Sequence, residues 1–249
     1  MLTAAELLPP GSELWFNTVK YSVLQLVIFG VGGLLWVVAY VAVLINVRKH
    51  KFVQIPAAAV VANISWEWLW GFFYMPDLGM AIVWGYRAWA ILDVFIVIWL
   101  FRYGAKQLLT TTGKQYLPYA IVFGLASWFI SLWFFIAEGY DMSMGATSAY
   151  LINVMMSAVY IVLIVKHPKI REFSFTVAWT KGLGTAFISV FMFIAPMTRY
   201  GAPDVPADRT FLLVLCVITF ILDVIFVAGF WMRIRSVEPA TPVPIPATA

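Results

Sequence analysis

Residues 20–47 read KYSVLQLVIFGVGGLLWVVAYVAVLINV and meet no charge after Lys20 until the basic cluster Arg48, Lys49 and Lys51. As an α-helix rising about 1.5 Å per residue, this run crosses a hydrocarbon core of about 30 Å with residues to spare. Comparable apolar stretches recur near 53–75, 80–102, 117–137, 146–166, 178–198 and 210–233, separated by short polar loops. Within a bilayer each backbone N–H and C=O must be satisfied inside its own segment, so runs of this length read as helices. The expected fold class is therefore all-α: a polytopic membrane protein, a bundle of seven transmembrane helices forming one domain over 20–235. An extracytoplasmic segment, 1–19, precedes it. A Pro/Ala-rich tail, 236–249, follows and is expected to be disordered.

Hydrophobic residues make up 63% of the 249 positions and charged residues 11%, and the mean hydropathy is +0.91. A soluble domain of this length does not keep such a balance in solution. The net charge of +4 resides in loops rather than in an aromatic-laced patch, which argues against a nucleic-acid partner. Basic residues sort by loop: Arg48, Lys49 and Lys51, then Lys106 and Lys114, then Lys166, Lys169 and Arg171, then Arg233 and Arg235. By the positive-inside rule those loops are cytoplasmic, which places the N-terminus outside or luminal and the C-terminus in the cytoplasm. The opposite loops carry Glu6, Glu13, Asp77, Glu138, Asp141, Asp204 and Asp208. The first residues lack the basic start of a cleavable signal peptide and are expected to be retained. Cys216 is the single cysteine and lies in an apolar run, so intrachain disulfides and thiolate clusters are excluded.

Charged side chains near the centre of a transmembrane helix cost about 2.5–3.5 kcal/mol each, so those retained there are functional candidates. Glu67, Arg87, Asp93 and Asp223 qualify, and their depths allow them to converge on one internal cavity. Three acids facing one arginine cannot all be ionised in a low-dielectric interior, so at least one carboxyl is expected to hold its proton and to be a donor. A structural ion-pair network is the alternative, and it weighs most for Arg87 with Asp93. Around Glu67 the sequence is Asn63-Ile64-Ser65-Trp66-Glu67-Trp68-Leu69-Trp70; at helical spacing Asn63, Glu67, Trp70 and Tyr74 share one face. The amide can orient the carboxyl, and the rings can stabilise a cation through their π faces. A second polar stripe, Tyr150, Asn153, Ser157 and Tyr160, marks the fifth span. Ile91-Leu92-Asp93-Val94 recurs as Ile221-Leu222-Asp223-Val224, the one echo that suggests a parallel 3+1+3 duplication.

No phosphate-cradling glycine loop, HExxH or DxDxDG pattern is present, and His50 and His167 both sit in basic loops. No metal site and no cofactor is expected. An aspartate-rich cluster for magnesium diphosphate is missing, as is a lysine in the last span that a retinal protein would need.

At Asn63-x-x-Trp66-Glu67 the chain resembles the small seven-helix integral-membrane terpene cyclases of meroterpenoid and indole-diterpene biosynthesis, a fungal family with bacterial relatives. Pro56 at similar spacing carries the resemblance further, as do Ala137-Glu138, Met144-Gly145-Ala146, Asn153, Ser157, Trp179, Lys181, Leu183-Gly184-Thr185 and the final-span Asp223, so that it runs from about residue 30 to 230. Trp70 stands where many fungal members carry Tyr, and Arg87 and Asp93 match no position of the family's pattern. The resemblance implies that Glu67 and Asp223 are the acid pair required for cyclisation, either one being the proton donor. It also implies that the substrate is a lipophilic prenylated small molecule, a farnesyl or epoxyfarnesyl chain on an aromatic or indole-type acceptor, taken from the lipid bilayer. Cyclisation would then be class II-like and acid-initiated, of isomerase or lyase type. Asn63, Trp66, Trp70, Tyr74, Arg87, Asp93, Glu138 and Asn153 are the expected wall and supporting residues. The host membrane would be the cell membrane in a bacterium or the endoplasmic reticulum in a fungus. The main alternative is a small 3+1+3 proton-coupled or small-solute transporter, in which the same carboxyls would couple transport.

Overall fold

Ser22 starts the first helix with a capping box: its side chain accepts from the Gln25 backbone N–H, and the Gln25 side chain accepts from the Ser22 N–H. In the computed structural model, which describes residues 10–167 and 169–236, seven α-helices follow. They are α1 (Val23–His50), α2 (Ala57–Trp68), α3 (Met80–Tyr103), α4 (Thr111–Ala137), α5 (Ala146–Lys166), α6 (Phe175–Ile194) and α7 (Thr210–Ser236). A two-stranded antiparallel ribbon, β1 (Thr198–Arg199) and β2 (Ala202–Pro206), links α6 to α7. The tail after Ser236 and the first residues of the N-terminal segment, including Glu6, lie outside the described residues.

Among the described residues, six helices are long and apolar enough to cross a membrane. The expected second span, 53–75, differs: Pro56 opens a 12-residue α2, and Leu69–Phe73 continue it as a π-turn until Tyr74 turns extended. Other boundaries shift less. Thr110 caps α4 by accepting from Gly113 N–H, which starts that helix six residues before the expected 117. Helix α6 begins at Phe175 instead of 178, so Lys181 lies well inside it.

Large apolar side chains such as Leu34, Phe123, Val165 and Ile225 point outward, while Asn46, Glu67, Asp93, Ser157, Lys181 and Asp223 are buried. Lipid on the outside and polar contacts within explain this inversion of the soluble pattern: the chain is an integral membrane protein. The principal packing pairs are α1 with α6 and α3, α2 with α3, α4 and α5, and α7 with α5 and α6. They close a ring in the order α1, α3, α2, α5, α7, α6, with α4 outside against α2. Exchanging α1, α2, α3 for α5, α6, α7 maps every ring contact onto another, as a 3+1+3 duplication requires. The α1–α6 contact is tight because a Cβ on Gly32 would come within 2.8 Å of Gly184 O, and one on Gly184 within 3.0 Å of Gly32 O.

One end of the ring is closed by the segment before α1 and the loop between α2 and α3. Asn17 N–H donates to Leu78 O, and the N–H groups of Met80 and Ala81 donate to Leu14 O and Trp15 O. Lys20 pairs with Asp77 at 2.5 Å and donates to Thr198, while Tyr21 donates to Asp77 at 2.8 Å. Asp77 is thus a buried tie between three segments. Asp141 has the same character: it accepts from the N–H groups of Met142, Thr147 and Ser148 and from the Ser148 hydroxyl, fastening the start of α5. Burial pushes its carboxyl up to about 6, against the pull of those hydrogen bonds.

Gly145 makes the turn into α5 at φ +74°, and a Cβ there would lie 2.4 Å from Trp70 Nε1 and 2.9 Å from Trp66 Cζ2. Gly145→Ala combines a left-handed residue, costing about 1–2 kcal/mol, with overpacking of about 1–3 kcal/mol. Gly30, on the surface of α1, has nothing within 4 Å of such a Cβ. Thermal unfolding in detergent is expected to show Gly145→Ala destabilised by at least about 2 kcal/mol and Gly30→Ala within about 1 kcal/mol of wild type. Equal midpoints for the two variants would contradict this account of the turn.

Candidate active site

Four side chains from three helices meet in the interior. On α2, Asn63 and Glu67 are one turn apart, and the Asn63 amide N–H donates to Glu67 Oε1 at 2.9 Å. The same amide reaches Asp93 Oδ2 on α3 at 3.0 Å and the Tyr40 hydroxyl on α1 at 2.5 Å. Tyr40 in turn donates to Glu67 Oε1. An amide has two hydrogens for three acceptors, so Asn63 is the hub on which the cluster turns. Glu67 is 2% exposed and Asp93 1%, and among the described residues neither makes an ion pair. Two buried carboxyls on one donor with no paired cation cannot both be ionised, so the pair carries a proton between them. Among the described residues Glu67 Oε2 accepts from no donor, and the Glu67 and Asp93 carboxyls lie within hydrogen-bond reach of each other.

Glu67 and Asn63 form one wall of a cavity of about 70 Å³ enclosed by α1, α2, α3, α5 and α6. Phe29, Trp36, Trp66, Tyr86 and Trp89 supply its rings, with Trp66 and Tyr86 at 5.0 Å and Tyr86 and Trp89 stacked at 5.5 Å. Trp66 is fixed by its indole N–H, which donates to Ser148 Oγ at 2.9 Å and to Gly145 O; Ser148 is held by Asp141. Three further wall residues carry buried polar atoms without a partner: Trp89 Nε1, Asn153 Oδ1 and Thr185 Oγ1. A buried polar atom without a partner in a cavity wall is where a ligand's polar group is recognised at least cost. The chemistry available is proton donation from the Glu67 end beneath π faces suited to a positive charge.

The other expected site residues sit elsewhere. Asp223 is buried on α7 but does not line this cavity; Lys181 Nζ lies 2.6 Å from its Oδ1, and Ser157 Oγ donates to the same oxygen at 2.7 Å. It borders instead a groove of about 540 Å³ between α6 and α7, with Trp179, Phe220 and Trp231. Arg87 does not face the acids: its Nε donates to Gly71 O at 2.8 Å, and its guanidinium lies 4.8 Å over Trp84. The expected convergence of Glu67, Arg87, Asp93 and Asp223 on one cavity is thus corrected, and the interior cation is Lys181. The π-turn after Trp68 breaks the helical spacing, so Trp70 and Tyr74 leave the Glu67 face. They pack instead in an aromatic cluster with Tyr200 and Trp133. Glu138 is exposed at the end of α4. Tyr40 and Tyr86 carry no signal in the sequence that distinguishes them from packing residues, Trp36 and Trp89 stand out there only as deep tryptophans, and Thr185 only as part of the family resemblance. Lys181 falls within the expected run 178–198, and the start of α6 at Phe175 places it a further turn into the helix.

A model of the Pyr4-like transmembrane terpene cyclases matches residues 14–236. Among curated proteins, the chain is 23% identical to the Pyr4-family terpene cyclase mfmH of Annulohypoxylon moriforme over 63% of this chain and 64% of that one. It is 27% identical to the terpene cyclase macJ of Penicillium terrestre over 62% and 61% respectively. The chain thus spans a little over three-fifths of the length of the curated relatives it matches. No solved structure matches. With the match covering nearly the whole described bundle, from the segment that closes one end to the last residue of α7, the chain belongs to the family of Pyr4-like transmembrane terpene cyclases.

Proposed function

We propose that this protein cyclises a prenyl chain, farnesyl or epoxyfarnesyl, carried on an aromatic or indole-type acceptor, and that Glu67 donates the initiating proton. The observation that carries this reading is the Glu67–Asp93 carboxyl pair, which makes no ion pair among the described residues and meets, through Glu67, a cavity walled by aromatic rings. The proton adds to the epoxide oxygen or to an alkene carbon, and the carbocation so formed is captured by successive double bonds of the folded chain. Loss of a proton, or attack by an internal nucleophile, ends the sequence at a product of unchanged mass. Asn63 and Tyr40 hold Glu67 Oε1, Asp93 shares the proton, and Trp36, Trp66, Tyr86 and Trp89 face the developing charge. Exclusion of water from the ring of helices keeps the cation from being quenched early. No metal or organic cofactor enters this scheme. The N-terminus is proposed to lie on the extracytoplasmic or luminal side, on the loop charges given above.

The repeated α1–α3 and α5–α7 packing is also the architecture of a small 3+1+3 transporter. Incubating detergent-purified protein with farnesylated and epoxyfarnesylated indole separates the two readings, because a cyclase turns over without a gradient. Conversion to an isomer of equal mass is expected; failure across a varied prenyl panel, with solute uptake into sealed vesicles, would replace the cyclase reading.

Glu67→Gln keeps the size and the hydrogen bond to Asn63 but has no acidic proton. Turnover is expected to fall by about 10²–10⁴-fold with the protein still inserted and folded, the usual weight of a general acid. Full activity in this variant would remove Glu67 from the donor role. Asp93→Asn retains an oxygen for Asn63 while removing the partner carboxyl; turnover is expected to fall at least about tenfold, with the unfolding free energy within about 1 kcal/mol of wild type. A large loss of stability with normal turnover per folded molecule would make Asp93 structural.

A further inference from the structure

Lys181 is 2% exposed, in the interior of α6. Counting from the same end of the bundle, Asp93 in α3, Lys181 in α6 and Asp223 in α7 each lie thirteen residues in, a common depth of about 20 Å. The ammonium touches Asp223 Oδ1 at 2.6 Å and Ser157 Oγ at 2.8 Å. It also lies 5.8 Å from the ring centre of Trp36, and Trp36 is part of the aromatic wall. On its other side Lys181 borders a chamber of about 20 Å³ shared with Tyr40, Asn63 and Asp93. It thus shares a chamber with the acid cluster while being committed to Asp223.

We propose that Lys181 is a positioning residue for cyclisation, holding Asp223 as a fixed counter-ion and bracing Trp36, so that Asp223 serves as charge balance for Lys181 while Glu67 alone gives up the proton. The Lys181–Asp223 pair is neutral as a unit. The Glu67–Asp93 pair therefore keeps its shared proton without a cation drawing it off, and Trp36 keeps its place in the wall. Removing one member of the ion pair strands a buried charge, whereas removing both strands none.

The test is a double-mutant cycle on detergent-purified full-length protein: wild type, Lys181→Met, Asp223→Asn and the double variant. Each is measured for its thermal midpoint and for kcat and KM with the farnesylated or epoxyfarnesylated indole that wild type converts. Each single change is expected to lower the midpoint and to cut kcat at least about tenfold with KM within about threefold. The double variant is expected to regain both midpoint and kcat, the latter at least about tenfold above Asp223→Asn. Wild-type kcat in Lys181→Met together with an inactive double variant would overturn the proposal by making Asp223 a proton donor in its own right. Additive midpoints would overturn it by showing that the pair is not coupled. The activity arm rests on the cyclisation reading; if wild type converts no prenylated probe, that reading fails separately while the midpoints still decide whether the pair exists.

Discussion

Charge neutrality inside the bilayer governs this structure. A lone ion there costs several kcal/mol, so every buried ionisable group must be paired, protonated or brought to an aqueous edge. Three clusters meet this requirement, two as ion pairs and the third by a shared proton. Lys181 and Asp223 form an ion pair with Ser157 filling a remaining donor position. Lys20 and Asp77 pair near the closed end of the ring. Glu67 and Asp93 make no ion pair and meet across Asn63, so their charge is limited by a proton instead. The third cluster leaves a labile hydrogen in a pocket of aromatic rings, and the functional reading follows from that difference.

The helices that hold this cluster are positioned by small residues and by the two closing acids. Gly32 against Gly184 brings α1 and α6 close, setting Tyr40 and Trp36 beside α6. Asp141 fastens the start of α5, and through Ser148 it orients Trp66. Gly145 lets Trp66 and Trp70 approach the turn. A loop acid two hydrogen bonds removed from Trp66 therefore aims one of the rings of the cavity wall.

Much of the fold was legible because lipid imposes a simple rule: long uncharged runs must be helices, and the helix boundaries agree with those runs to within a few residues at most ends. Shape within the runs was less legible. No residue type marks the π-turn at Leu69–Phe73, yet it removes Trp70 and Tyr74 from the face that regular spacing assigns them. The site divides in the same way. Asn63 and Glu67 line one cavity together, because polar groups one turn apart on a single helix share a face whatever the neighbours do; Trp66 and Asn153 reach the same cavity through packing between helices. Relations between helices were not readable: Arg87 reaches back to Gly71 rather than to an acid, and Lys181, near the start of the expected sixth run, gives no sign in the sequence that it meets Asp223.

The two aspartates in the Ile-Leu-Asp-Val segments show why sequence context alone does not assign an acid's role. Asp93 and Asp223 occupy the same motif, the same depth and equivalent helices of the ring. Asp93 faces an amide and a second carboxyl from α2 and a phenol from α1, groups that carry no positive charge and so leave a proton between the acids. Asp223 faces an ammonium from α6 and a hydroxyl from α5, which favour the carboxylate. Asn63 on α2 and Lys181 on α6 are the residues that distinguish the halves, one neutral and one cationic. If the halves share an origin, a difference of this kind in the partner of each aspartate is enough to make one half the place where a proton is held and the other the place where a charge is fixed.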